Sequence, residues 1–269
     1  MSSAETDLPA DERRELLKEV YAQAKVCTRC PELAATRKTV VFGAGNANAD
    51  LMFVGEAPGA SEDEQGVPFV GRAGKLLSTL LEEVGLKRDD VFIANVLKCR
   101  PPGNRDPLPV EIDNCQGYLR RQVELIQPTV ICTLGNFSTK LLRGDPTGIT
   151  RLHGQPEVLA LGRRAVRLYP IFHPAAALYT PRMLETLRED FMRLPDLLAL
   201  GAPEQPSLEE VPEYELPEGA DAEAEGDAAG TGSVAKGSVA NGSPAKGASA
   251  NGSASGSAEA DEADQLGLF

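Results

Sequence analysis

The chain has 269 residues, 27 Lys+Arg against 40 Asp+Glu, a net charge of −13, five Cys and no Trp. Fourteen of the acidic residues and only two basic ones (Lys236 and Lys246) lie in residues 201–269, which leaves the first 200 residues near neutrality at −1. The acidic balance therefore belongs to a tail, and it does not exclude a nucleic-acid partner for the body.

Residues 11–26 carry Leu16, Leu17, Val20, Tyr21 and Ala24 on one helical face. A short strand is predicted at Val40–Phe42 and a buried-type strand at Asp50–Val54. A helix follows over Gly74–Val84, with Leu76, Leu77, Leu80 and Leu81 in register and Gly85 as its stop. Val91–Val96 reads as a strand, Pro109–Ile126 as a helix entered through a Pro-rich loop, and Thr129–Leu134 as a strand with a short helix to Leu142 behind it. A hairpin is predicted over Val158–Ala160 and Ala165–Phe172, and a closing helix from about Arg182. Strands separated by helices imply a three-layer α/β/α fold with a mainly parallel central sheet. In such sheets function collects in the loops at the C-terminal ends of the strands.

The organisation follows from composition. Residues 1–10 read as a flexible N-terminus and 11–200 as one domain. Residues 201–264 read as a disordered acidic linker rich in Gly, Ala and Ser, with a loose five-residue register from Ala235, and 265–269 as a separate terminal peptide. No apolar run approaches the ~18 residues needed to cross a bilayer. The N-terminus has no apolar signal region, so a cytoplasmic protein is expected. In that compartment five Cys point to metal, catalysis or core packing rather than disulfides.

Four loops at strand ends have unusual composition. They are Gly55-Glu56-Ala57-Pro58-Gly59 running on to Glu62; Val67-Pro68-Phe69-Val70-Gly71-Arg72; Asn95 followed by Lys98-Cys99-Arg100-Pro101-Pro102-Gly103-Asn104-Arg105; and Phe172-His173-Pro174-Ala175-Ala176. Phe69 lacks the alternating apolar neighbours that mark a core position. The Cys27-x2-Cys30 pair closes a helix instead of opening one, which disfavours a thioredoxin-like site. With Cys99 and Cys115 it suggests a four-thiolate metal site, and the spacing does not choose between zinc and an iron–sulfur cluster. Cys132, within Val130-Ile131-Cys132, reads as a core residue, and His153 has no assigned role.

Together these loops resemble the iron–sulfur, family 4 uracil-DNA glycosylases of bacteria and archaea. The likeness rests on the GEAPG loop, the FVGRAG loop, an Asn ending a strand before KCRPPGNR, the HPAA loop and four Cys at this spacing, in order over about Cys27 to Leu200. The resemblance implies a [4Fe–4S] cluster on Cys27, Cys30, Cys99 and Cys115, and excision of uracil from DNA to leave an abasic site. It implies that Gly55, Glu56, Ala57, Glu62, Phe69, Asn95 and His173 surround the flipped base, with Glu56, Asn95 and His173 catalytic. Glu62 takes the position that crowds C5 and excludes the thymine methyl. Lys98, Arg100 and Arg105 are expected to meet DNA phosphates. CRPPGNRDP continues without the basic insertion of the relatives that crosslink to DNA, so an ordinary turnover enzyme is expected, acting as a cytoplasmic, nucleoid-associated monomer. A non-catalytic DNA-damage binding module with a four-cysteine metal site is the competing expectation. Finally, Gln265-Leu266-Gly267-Leu268-Phe269 resembles the peptide by which bacterial repair proteins dock on the DNA sliding clamp, with Gln265, Leu266, Leu268 and Phe269 as its contacts.

Overall fold

The computed structural model describes residues 8–206, so the predicted linker from 207 onward and the terminal peptide lie outside the described residues. Six strands form one sheet in the order β1-β3-β2-β4-β6-β5: β1 (Ala44–Gly45), β2 (Leu51–Gly55), β3 (Phe92–Asn95), β4 (Val130–Leu134), β5 (Glu157–Leu161) and β6 (Arg164–Ile171). β3, β2, β4 and β6 pair in parallel, and the edge strands β1 and β5 are antiparallel to their neighbours.

Alternation along the parallel strands sorts side chains to two covered faces. Met52, Val54, Ala94, Ile131 and Leu168 pack in one cluster with Leu17 and Val20 of α1 (Ala10–Lys25) and Leu119 and Val123 of α5 (Pro109–Ile126). Leu51, Phe53, Ile93, Cys132 and Tyr169 pack on the other side with Leu77 and Leu81 of α4 (Arg72–Glu83), Leu187 and Phe191 of α9 (Pro181–Met192), and Leu194 of α10 (Leu194–Ala199). Both faces of the sheet are therefore dry, which is why Leu51–Val54 of β2 and Val130–Cys132 of β4 read as unbroken apolar runs. Among the described residues no helix is long and apolar enough to cross a membrane.

The predicted strand at Val40–Phe42 does not form. Those residues are buried but lie outside any ladder, with Val41 N–H donating to the Lys98 carbonyl at 2.8 Å, and the edge strand starts only at Ala44. Four short helices escaped the periodicity: α2 (Pro31–Thr36), α3 (Ala60–Gln65), α7 (Ile149–Leu152) and α8 (Pro174–Ala177). Cys30 caps α2, so the Cys pair ends α1 and also opens a helix. The remaining helix, α6 (Asn136–Arg143), follows β4 where predicted. From β2 the chain passes to β3 on one side and later to β4 on the other. The order of strand addition thus reverses between β2 and β4, the place where parallel sheets open a crevice at the strand ends.

Candidate functional site

The C-terminal ends of all four parallel strands meet at this crevice. Beyond the β2–β3 ladder, Val96 N–H bonds to Gly55 O and Leu97 N–H to Glu56 O, each at 3.0 Å, which fixes Glu56 and Asn95 side by side. Asn95 is 2% exposed. Its amide oxygen and the Phe69 ring both press on Gly55, where any Cβ would collide with Asn95 Oδ1 and stand 3.0 Å from the ring. Phe69 is buried in a left-handed backbone conformation (φ 54°), and its carbonyl lies so close to Gly74 that a side chain there would overlap it. The short link from Phe69 to α4 therefore needs Gly74. On the far side, the Phe69 ring stacks with His173 at 5.6 Å between centroids and 28° between planes. Gly135, at the end of β4, abuts the His173 Cβ.

His173 caps α8, and its Nδ1 accepts the Ala175 N–H at 3.1 Å. A nitrogen that accepts carries no proton, so the neutral ring holds its hydrogen on Nε2. Burial pushes the His173 pKa down to about 4, and the ring is neutral at pH 7. Glu56 and His173 both line a cleft of about 700 Å³ with Asp106, Leu134, Asn136 and Lys140. Burial raises the Glu56 carboxyl above its usual range, and the nearby Asp106 adds to the effect. Gly55, Glu56, Phe69, Asn95 and His173 are thus brought together at one place. Glu62 is engaged elsewhere: its carboxylate accepts the Gly59 N–H and closes the first turn of α3. Asp106 and Lys140 were not singled out in the sequence, because a charge in a Pro-rich loop or on a short helix reads as a solvated surface residue.

Cys27, Cys30, Cys99 and Cys115 line one small cavity between α1, α2, the Pro-rich loop and α5. Each sulfur receives at least one N–H donor: Arg29 Nε to Cys27 at 3.5 Å, Asn114 Nδ2 to Cys30 at 3.6 Å, Arg37 to Cys99 at 3.4 Å and the Lys98 backbone to Cys115 at 3.3 Å. Burial pushes the thiols of Cys30 and Cys99 up, and that of Cys115 to about 12. Burial acts the same way on Cys27, but hydrogen bonds with Arg29 and Tyr118 bring it below the usual value. Buried thiols of this kind become thiolates when a metal supplies the compensating charge. Among the described residues no group of three or more His, Cys, Asp or Glu is arranged to hold a metal ion. Four separate thiols around one cavity, each already met by a donor, fit an iron–sulfur cluster, whose ligands are spread over several irons. Cys132 is buried in the sheet on the opposite face, as expected of a core residue.

Among the basic residues of the third loop, Lys98 departs from expectation. Lys98 cannot meet a phosphate: it is 1% exposed, and its Nζ donates to Asn95 O at 2.8 Å and Gln122 Oε1 at 2.6 Å. Burial lowers its ammonium to about 8, against the pull of the neighbouring Cys115 and Cys99. Arg105 is held by Glu111 and Glu32 at 2.6 and 2.8 Å, joining the loop to α5 and α2. Arg100 is partly exposed and bonds only locally, to Asn104 at 2.7 Å.

Residues 42–194 match the family profile described as the Uracil DNA glycosylase superfamily. Similar proteins include the type-4 uracil-DNA glycosylase of Archaeoglobus fulgidus, 42% identical over 193 residues, covering 70% of this chain and 96% of that protein. The type-4 uracil-DNA glycosylase of Sulfurisphaera tokodaii is 45% identical over 67% of this chain and 84% of its own length. That of Thermotoga maritima is 45% identical over 61% and 83%. The profile spans the sheet from the edge segment to α10, and the relatives match over most of their own lengths; the chain belongs to the uracil DNA glycosylase superfamily, in its type-4 branch.

Proposed function

We propose that this chain excises uracil from DNA, breaking the N-glycosidic bond and leaving an abasic site. The reading is carried by one convergence: a buried amide at the end of β3, a neutral imidazole just past β6, and the aromatic ring of the α3–α4 link stacked on that imidazole. Drawing a nucleotide out of the stack costs a few kcal/mol. Phe69 returns part of that by stacking on the flipped ring, ~1–3 kcal/mol per base. The Asn95 amide donates to O4 and accepts from N3–H, a pattern cytosine reverses. As the bond between N1 and C1′ breaks, its electron pair moves onto the uracil, and O2 becomes anionic. His173 donates its Nε2–H there, a contact of the kind worth about 2.7–4 kcal/mol. Because the ring is already neutral, it stabilises the anion without first surrendering a net charge.

Glu56, beside Asp106, is the carboxylate set to orient water and to stabilise the oxocarbenium-like sugar; water adds to C1′ and loses a proton. Backbone N–H groups at Glu56 and Ala57 assist at the base. The steric role of Glu62 against thymine rests on the family resemblance alone. Lys140 on the cleft wall and the partly exposed Arg100 at the loop supply cations for phosphates, while Arg105 is engaged by Glu32 and Glu111. Cys27, Cys30, Cys99 and Cys115 would hold a [4Fe–4S] cluster, which when bound cross-links the α1–α2 junction, the Pro-rich loop and α5. The test is an oligonucleotide carrying one uracil, treated with protein and then alkali. Strand scission at the uracil is expected, and an intact strand would leave the non-catalytic binder as the better reading.

The finer reading concerns partners. Domain 11–200 acts as a cytoplasmic monomer, and Gln265-Leu266-Gly267-Leu268-Phe269 docks on the sliding clamp. A coil over residues 218–264 would span roughly 35–40 Å, letting the body search DNA near the clamp at raised effective concentration. Titration of the clamp should show binding by the full chain and loss with Leu268→Ala/Phe269→Ala; equal binding by both ends the idea.

A further inference from the structure

Among the described residues Lys98 is one of the largest fully buried side chains, and none of them offers its ammonium a carboxylate as a hydrogen-bond acceptor. Both acceptors are neutral oxygens: the backbone carbonyl of Asn95 and the amide of Gln122, whose Nε2 in turn donates to Phe42 O at 2.9 Å. The Phe42 ring lies 5.7 Å beneath the ammonium. A buried cation held only by neutral oxygens is an unfavourable thing to keep, and a methylene chain would fill the same volume without that cost. What it gains is position. The Lys98 backbone N–H donates to Cys115 Sγ, and the next residue is Cys99. One residue therefore touches the cysteine cage with its backbone and the base-reading strand end with its side chain.

We propose that Lys98 is a positioning residue that ties the carbonyl end of Asn95 to the cysteine cage, so that the loaded cage fixes the pitch of the amide that reads uracil. When the cage is loaded, its thiolates would supply the negative charge that favours an ammonium in this place. The ammonium supplies the donor that stops Asn95 from turning at the end of β3. The cage then bears on base recognition while standing outside the cleft, through a link of three residues. This rests on reading Asn95 as the uracil-contacting amide.

The experiment compares full-length Lys98→Met, Gln122→Met and Asn95→Ala with the parent. For each it reads cluster absorbance, cluster reduction potential, inhibition by free uracil, and kcat and KM on a uracil oligonucleotide. Lys98→Met should load the cluster and lower its potential, because a neighbouring positive charge has gone. It should lower kcat at least about tenfold and weaken inhibition by uracil, with KM changed less than about threefold. Gln122→Met, which frees one side of the ammonium, should move the same quantities in the same direction by less. A Lys98→Met protein that melts earlier but keeps parental kcat, uracil inhibition and potential overturns the proposal. So does loss of the fold in both variants, which would make Lys98 a core residue and nothing more. Should Asn95→Ala itself retain parental excision, it is the reading of Asn95 that fails; if Asn95→Ala is inactive and Lys98→Met is not, only the link through Lys98 fails.

Discussion

The chain has two histidines, and the fold holds them in opposite ways. His153 follows α7 and bonds through Nδ1 to Asp190 of α9 at 3.1 Å, while its ring packs on Phe172 at 4.5 Å. Burial pushes the Asp190 carboxyl up, and His153 and Arg193 pull it back. His173 turns the same nitrogen onto its own backbone, at Ala175, and burial keeps it neutral. The partner decides the use. An imidazole facing a carboxylate ties two helices together. One capped by a peptide N–H presents a neutral donor outward, toward the place where charge develops. They act close together all the same, because Phe172, against which His153 packs, immediately precedes His173.

Removing the two rings should separate these roles. His173→Ala is expected to lower uracil excision by about a hundred- to a thousandfold, the size of a lost oxyanion donor. Its melting temperature should fall modestly, since the cap of a four-residue helix and the stack on Phe69 are lost while both core clusters stay intact. Parental turnover would remove His173 from the chemistry. The next effect is on pH. With its folded pKa depressed to about 4, His173 stays a neutral donor well below the usual histidine midpoint. The acid limb it causes therefore lies near pH 4, and activity that depends on it is lost only as pH falls that far. The unfolded chain takes up a proton on this ring below about 6.5 that the folded ring refuses, so stability also declines as pH falls from about 6.5 toward 4. Since Glu56 has a raised carboxyl in the same cleft, the profile is best measured in Glu56→Gln. A limb at about 6.5 in that variant would mean an imidazole of ordinary basicity.

His153→Ala should do the reverse. Asp190 is 5% exposed and would lose a hydrogen-bond partner, at about 1–3 kcal/mol of stability. Thermal or denaturant unfolding should register that, while excision well below the melting temperature should stay within about threefold. If excision instead falls as far as in His173→Ala with unfolding unchanged, the two rings are not separable and His153 belongs to the site.

The difference between the histidines was half legible in the sequence. His173 sits in a loop directly after an apolar strand, a place that parallel sheets reserve for function, and the helix Pro109–Ile126 could be bounded from its Pro start and its periodicity. The partner of His153 is 37 residues away on another helix, and no local pattern points to it. The same limit explains other departures. The apolar run Val40–Phe42 announced burial, which a strand and a buried connecting segment share. α3, α7 and α8 are too short to show a 3.6-residue period. Lys98 was expected at the surface because lysine almost always is, and only the tertiary structure reveals the carbonyl and amide that hold it. Arg29, Arg37 and Asn114 gain meaning only once the sulfurs they meet are assembled.

The smallest change is expected where a reactive residue type has been given no chemistry at all, and the cysteines supply the case. Four thiols share a cavity, and each accepts at least one N–H donor; Cys132 lies instead within β4, on the face packed against α9, wholly buried. Burial pushes its thiol well up, so it stays protonated and unreactive. Cys132→Ser replaces a weakly polar sulfur with a hydroxyl in a dry sheet, at about 1–3 kcal/mol of stability. The visible absorbance of the protein should be unaltered, as should excision on a short oligonucleotide at moderate temperature. The same substitution at Cys27, Cys30, Cys99 or Cys115 should abolish the absorbance, because each removes a ligand that no neighbouring side chain can replace. A Cys132→Ser protein that loses its colour while one of those four keeps it would reverse the assignment. Stability data alone would not settle the point, since both classes of variant are weakened, and the spectrum is what distinguishes a thiol packed in a core from one that holds a metal.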